Sequence, residues 1–125
     1  MASTQAAPFT AFDYRYRDAG NYKASGSLLL IGRLSTDERE MIIDRLEAGE
    51  LFLAEQVGIR PLYAALYELT GGPTYDDHCW HEFSGFRDIG GGAQDIPVWG
   101  EATSLVAAFE KVSGWDLRLS PHFVI

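Results

Sequence analysis

The sequence is poor in cysteine and in basic residues. Its single cysteine, Cys79, cannot form an intrachain disulfide, so no disulfide framework is expected. Lys and Arg number 10 against 18 Asp and Glu, which gives a formal net charge of −8. Nucleic acids and anionic membrane surfaces both require a basic face, so this balance disfavours both classes of partner.

Long apolar runs and targeting signals are also missing. No stretch approaches the roughly 18 apolar residues of a membrane span, and the N-terminal MASTQAAP has no basic region and no apolar core. We therefore predict a soluble cytoplasmic protein that does not enter a membrane. The glycine run at residues 90–92 lacks both GxGxxG spacing and a following lysine, so no cofactor is expected.

Enough apolar side chain is present for one domain with a core. Hydrophobic residues make up 46% of the 125 positions. We expect a flexible lead-in over residues 1–8 and a single domain over residues 9–125. The element order β-β-α-β-α-β-α-β predicts an α+β fold, with three helices packed on a mostly antiparallel sheet of four to five strands. An α/β arrangement with some parallel pairs is the alternative.

The first half of the chain carries the clearest local signals. Strict alternation over Phe9–Arg17 predicts a strand that buries Phe12, Tyr14 and Tyr16 and exposes the charged residues between them. An apolar strand in Ser27–Leu34 should pair with it as a hairpin. The sequence from Ser35 to Glu38 is a capping box, which predicts a helix that ends near Ala48.

Later elements follow from periodicity and from glycine or proline boundaries. A second helix should begin at Pro61 and end before Gly71. Pro97–Gly100 should lead into a third helix, about Glu101 to Val112, that buries Leu105, Phe109 and Val112. Three further strands are predicted, at Leu51–Ala54, Cys79–Arg87 and Trp115–Leu119.

The stretch from Thr74 to Phe86 holds most of the side chains able to do chemistry, including two of the three histidines. In a strand, alternate side chains lie on opposite faces. One face should then carry Cys79, His81 and Phe83, and the other should carry Trp80, Glu82, Ser84 and Phe86.

The leading functional interpretation is a non-enzymatic binding or regulatory module. A small polar ligand would contact an aromatic and cationic set, because such a wall combines an apolar face with hydrogen-bond donors; the set is Trp80, His81, Tyr63 and Arg15. A protein partner would contact the acidic outer face of the first helix at Glu40, Asp44 and Glu47, although such faces often serve only solubility. An exposed strand edge can pair with a second copy of the chain, so a homodimer is a further alternative.

The alternative is a small metal-dependent or acid/base hydrolase built on the cluster from Asp76 to Glu82. Its catalytic residues would be Asp77, His78, His81 and Glu82, and its metal ligands His78, His81 and Glu82. The order HxxHE is not the HExxH motif of zinc proteases. A Cys79–His81 nucleophile pair has no identifiable oxyanion donor. The plainest interpretation of the stretch is structural, with its aromatic residues filling the core and its polar residues facing solvent.

Overall fold

The architecture comes from a computed structural model, which describes residues 8–17, 23–62, 80–90 and 95–119. These ranges contain a five-stranded sheet and two α-helices, so the α+β class is confirmed. The elements are β1 (Phe9–Arg17), β2 (Lys23–Ile31), α1 (Thr36–Arg45), β3 (Leu51–Phe52), β4 (His81–Ile89), β5 (Val98–Glu101) and α2 (Ala102–Glu110), with short 3-10 turns at Ala54–Val57 and Leu117–Leu119.

Strand β1 lies at the centre of the sheet, whose strand order is β3-β4-β1-β2-β5. It pairs antiparallel with β2 on one side and with β4 on the other. Phe12, Tyr14 and Tyr16 are buried, as the alternation predicts. The charged residues between them lie on the opposite face, which we call the outer face, while the helices cover the inner one.

The sheet is mixed, because β5 runs parallel to β2. Three of the four strand pairs are antiparallel, as predicted, and β2–β5 is the parallel exception. The prediction that Pro97–Gly100 only leads into a helix is wrong, because Val98–Glu101 forms this strand. Its position depends on distant partners: the Leu29 N–H donates to the Pro97 carbonyl at 2.9 Å, and the Trp99 indole donates to the Gly58 carbonyl at 2.9 Å. No local pattern contains that information.

Helix α1 begins where the sequence predicts and ends earlier. The Ser35 hydroxyl accepts from the Glu38 N–H at 3.1 Å, and a Glu38 carboxylate oxygen accepts from the Ser35 N–H at 2.8 Å, which completes the capping box. The helix ends at Arg45 instead of near Ala48. The chain turns back there, since Ala48 and Gly49 have φ of 54° and 77°.

The C-terminal part of the described chain departs from prediction in one element. Leu105, Phe109 and Val112 are buried as expected of α2 and the residues after it. The final strand predicted at Trp115–Leu119 is wrong, because Leu117–Leu119 forms a 3-10 turn. The Asp116 side chain accepts from the Arg118 N–H at 3.1 Å and so tightens this turn.

The helix count of three is not reproduced in the described ranges, which hold two α-helices. The helix predicted to begin at Pro61 and end before Gly71 falls mostly on residues 63–70, which lie outside these ranges. Neither described helix is long and apolar enough to cross a membrane.

A β-bulge in β4 changes which side chains face the helices. Asp13 lies opposite Gly85 and Tyr14 lies opposite Phe83, so Ser84 is an extra residue without a counterpart in β1. Phe83 and Phe86 therefore both pack on the core, with their ring centroids 4.9 Å apart. Our prediction that Phe86 shares a face with Glu82 is wrong, since strict alternation is interrupted between them.

Candidate functional site

His81 is a core residue. Its side chain is 0% exposed, and its Nε2 accepts a hydrogen bond from the Leu62 backbone N–H at 2.9 Å. The rings of Tyr14, Tyr16 and Phe52 surround it, with centroids at 6.0, 5.3 and 5.8 Å. An imidazole enclosed in this way satisfies a buried backbone donor and is shielded from solvent.

Glu82 lies on the opposite face of β4 from His81. One carboxylate oxygen accepts from the Arg15 Nε at 2.5 Å, and the other lies 3.3 Å from the Arg17 Nε. Burial alone would raise the pKa of Glu82, but the Arg15 hydrogen bond and the two guanidinium charges outweigh it and lower that pKa. Glu82 is thus an ionised partner of two arginines.

The structure does not bring the predicted ligand-binding residues to one surface. Arg15 lies on the outer face with Glu82, whereas His81 is enclosed in the core. Trp80 packs edge-on against Trp115 at a centroid distance of 6.4 Å, beside the helices. Tyr63 is outside the described residues. The set therefore remains a prediction that gains no geometric support.

The alternative metal and hydrolase sets fare similarly. His81 and Glu82 point to opposite faces of β4, so they do not converge on one ion. Asp77 and His78 lie outside the described residues. Among the residues that are described, no group of three or more His, Cys, Asp or Glu side chains has the geometry to hold a metal ion.

The acidic, solvent-exposed side of α1, which we call the acidic face, differs electrostatically from the sheet. Glu40 and Asp44 lie on α1, whereas Glu47 lies two residues beyond its end at Arg45 and not on the helix as predicted. All three are exposed, and none of them forms a salt bridge with any part of the described chain. By contrast, each of the carboxylates in the sheet at Asp13, Glu82 and Asp88 pairs with arginine. Ile43, 37% exposed, adds apolar surface beside Asp44 on the same helix.

A small cleft adjoins this acidic face at the C-terminal end of α1. Its volume is about 280 Å³, and its lining includes Asp44, Glu47 and the cation Arg45. Trp115 also lines it, fixed by a 3.0 Å hydrogen bond from its indole nitrogen to the Arg45 carbonyl. The cleft thus places carboxylates close to an aromatic ring.

A second, larger feature is a shallow polar depression on the outer face of the sheet, with a volume of about 480 Å³. We call it the outer depression. Strands β1, β2 and β4 form its floor, and the chain just before β5 forms one wall. Its polar side chains are those of Asp13, Ser25, Ser27, Ser84, Arg87 and Asp95.

Asp13 and Arg87 form the ordered centre of the outer depression. Arg87 Nε donates to Asp13 Oδ2 at 2.7 Å, and Arg87 Nη2 donates to Oδ1 at 3.0 Å. The Ser27 hydroxyl donates to the same Oδ1 at 2.6 Å. Burial pushes the pKa of Asp13 upward, but the hydrogen bonds from Arg87 and Ser27 outweigh it and leave that pKa lowered.

Sequence patterns did not single out Arg87 or Asp95. The strand prediction placed Arg87 at the end of β4, on the face of His81 by strict alternation. The bulge at Ser84 reverses that phase and brings the guanidinium to Asp13. The one available signal was the Ser84-Gly85 pair within an aromatic strand, because glycine in a strand interior often marks a bulge.

A scan against protein-family models found no match, and searches of curated proteins and of solved structures found no significant match either. The geometry alone therefore supports the functional proposals.

Proposed function

We propose that this protein is a non-enzymatic binding module that contacts a basic protein partner through the acidic face of α1. The observation that carries the proposal is the set of exposed carboxylates at Glu40, Asp44 and Glu47, with which no cation of the described chain forms a salt bridge. Unpaired charges of one sign steer an oppositely charged partner and favour its orientation on binding.

Two further features support the interpretation that the acidic face of α1 binds a partner and does not serve solubility alone. Ile43 offers exposed apolar area within the acidic face, and apolar side chains surrounded by a polar rim form the water-excluded centre of many interfaces. The adjoining cleft has two carboxylates, one arginine and the Trp115 ring in its lining, and the Arg45 guanidinium donates to the Val112 carbonyl. The net negative charge and the ring suit one lysine or arginine of a partner. An ion pair and a cation–π contact at one position would favour a basic side chain over a neutral one.

A capture experiment with paired charge reversals tests this proposal. Immobilised wild-type protein and the double variant Glu40→Lys/Asp44→Lys are exposed to the same lysate, and the captured proteins are identified and purified for direct titration. We expect the variant to bind the purified partner at least tenfold more weakly, because attraction becomes repulsion. Wild-type affinity should fall as salt is raised.

The matched control reverses two exposed carboxylates elsewhere. Asp95→Lys/Glu101→Lys changes the net charge by the same amount and leaves α1 intact. Its affinity for the purified partner should match that of the wild type. Equal weakening by both double variants would mean that net charge, and not the α1 face, controls binding, and the proposal would be rejected.

A further inference from the structure

The outer depression combines fixed charges of both signs with free hydroxyl groups. The Asp13–Arg87 pair uses the Nε and Nη2 atoms of the guanidinium, so the donors of its remaining nitrogen stay available on the opposite edge. Arg87 is 51% exposed and therefore accessible to a ligand. The depression thus offers an arginine that is already oriented, which lowers the ordering cost of binding an oxyanion.

The charges that line the depression select among ligand classes. Asp13 and Asp95 contribute two negative charges against the single positive charge of Arg87. A plain anion would meet a net negative surface, and a plain cation would leave the remaining donors of Arg87 unused. A ligand that carries both a carboxylate and an ammonium group satisfies both ends.

The remaining lining groups suit the body of such a molecule. Ser25 and Ser84 present hydroxyls that both donate and accept hydrogen bonds. Ile96 and Pro97 provide an apolar wall beside Asp95. The volume of about 480 Å³ lies within the range of small-molecule sites, which is roughly 300–1,000 Å³.

We infer that the outer depression binds a small zwitterion of the α-amino-acid type, with its carboxylate on Arg87 and its ammonium group on Asp95. Asp13 acts as a positioning residue that holds the guanidinium. Ser27 in turn fixes Asp13. This site lies on the sheet and shares no residue with the acidic face of α1, so it stands independently of the proposed partner contact.

Calorimetric titration of the full chain with each standard amino acid tests the inference. At least one should bind saturably, and its N-acetyl and carboxamide derivatives should each bind at least tenfold more weakly, because each derivative removes one of the two charges. No saturable binding by any of them would overturn the inference. So would equal binding by the amino acid and both derivatives.

Substitutions of lining residues test whether the amino acid binds in the outer depression. Asp95→Asn should weaken the binding of the amino acid at least tenfold, and Arg87→Gln should do the same. Asp95 is exposed and forms no salt bridge with a described residue, so the fold should tolerate its substitution even if Arg87→Gln proves unstable. Glu110→Gln, an exposed change on α2, is the matched control and should bind like the wild type. Unchanged affinity in Asp95→Asn would place the ligand elsewhere and reject the site.

Discussion

At the scale of single residues, the main role of His81 is to stabilise the fold. It supplies the acceptor for the buried Leu62 N–H and fills space among aromatic rings. Replacement by phenylalanine would keep most of the side-chain volume but leave the Leu62 N–H without a hydrogen-bond acceptor. We expect His81→Phe to lower the free energy of unfolding by about 1–3 kcal/mol, as measured by urea denaturation.

Comparison with a smaller side chain separates the two contributions of His81. His81→Ala also leaves a cavity, so its loss should be greater than that of His81→Phe and reach roughly 2–5 kcal/mol. If His81→Phe were as stable as the wild type, the hydrogen bond to Leu62 would contribute nothing measurable to the free energy of unfolding, and this role of His81 would be rejected.

Residue-scale prediction from the sequence succeeded where alternation is uninterrupted. The burial of Phe12, Tyr14 and Tyr16 follows directly from the pattern of β1. The burial of His81 depends on an N–H that lies 19 residues away in the sequence, so no local pattern contains it. The same limit explains why Arg87 was not recognised as a partner of Asp13, 74 residues distant.

At the scale of elements, the capping box of α1 gives a local test. Ser35→Ala removes the acceptor for the Glu38 N–H at the positive end of the helix. We expect it to lower the free energy of unfolding by about 1 kcal/mol. Thr36→Ala, the next residue and also exposed, is the matched control. A Ser35→Ala loss no larger than that of the control would show that the cap contributes little here.

Element prediction divides between local and long-range causes. The start of α1 and the buried side chains of α2 come from capping and periodicity, which act within a few residues. Strand β5 forms because Pro97 and Trp99 meet partners on β2 and at Gly58. The alternating residues from Trp115 lack such a partner strand in the described chain and turn instead.

At the scale of the whole molecule, charge is segregated. Asp13 and Glu82 on the outer face of the sheet are paired with arginine, whereas Glu40, Asp44 and Glu47 are exposed and form no salt bridge within the described ranges. The sequence showed the acidic block from its composition alone. It could not show which acids are neutralised, because the pairs join strands that are distant in the chain.

Acid stability follows from the pairs between β1 and β4. The pKa values of Asp13 and Glu82 are lowered in the folded state, so in this acidic range the folded protein binds fewer protons than the unfolded chain. Their stabilisation is complete above the unfolded values, about pH 4, and is lost as the pH falls through the lower folded values. Glu82→Gln should remove about 1 kcal/mol at neutral pH and flatten this decline. The measurement is the urea midpoint as a function of pH.

A matched amide at an exposed acid provides the comparison for Glu82. Glu40→Gln removes one negative charge without breaking an ion pair to any described residue. It should leave the acid-induced loss of stability close to that of the wild type. If both amide variants lost stability in parallel with the wild type on acidification, pairing in the sheet would not be its source.

The extra residue in β4 has a consequence for how this protein tolerates insertions and deletions. A chain shortened by Ser84 would lose the bulge and keep the phase of the strand, because Phe83 and Gly85 would then follow one another opposite Tyr14 and Asp13. Phe86 would still face the core, and Arg87 would still lie on the outer face. Loss of Glu82 would instead reverse the phase on one side of the deletion and turn either His81 or Phe83 away from the core. Deletion of Ser84 should therefore lower the free energy of unfolding less than deletion of Glu82, as measured by urea denaturation.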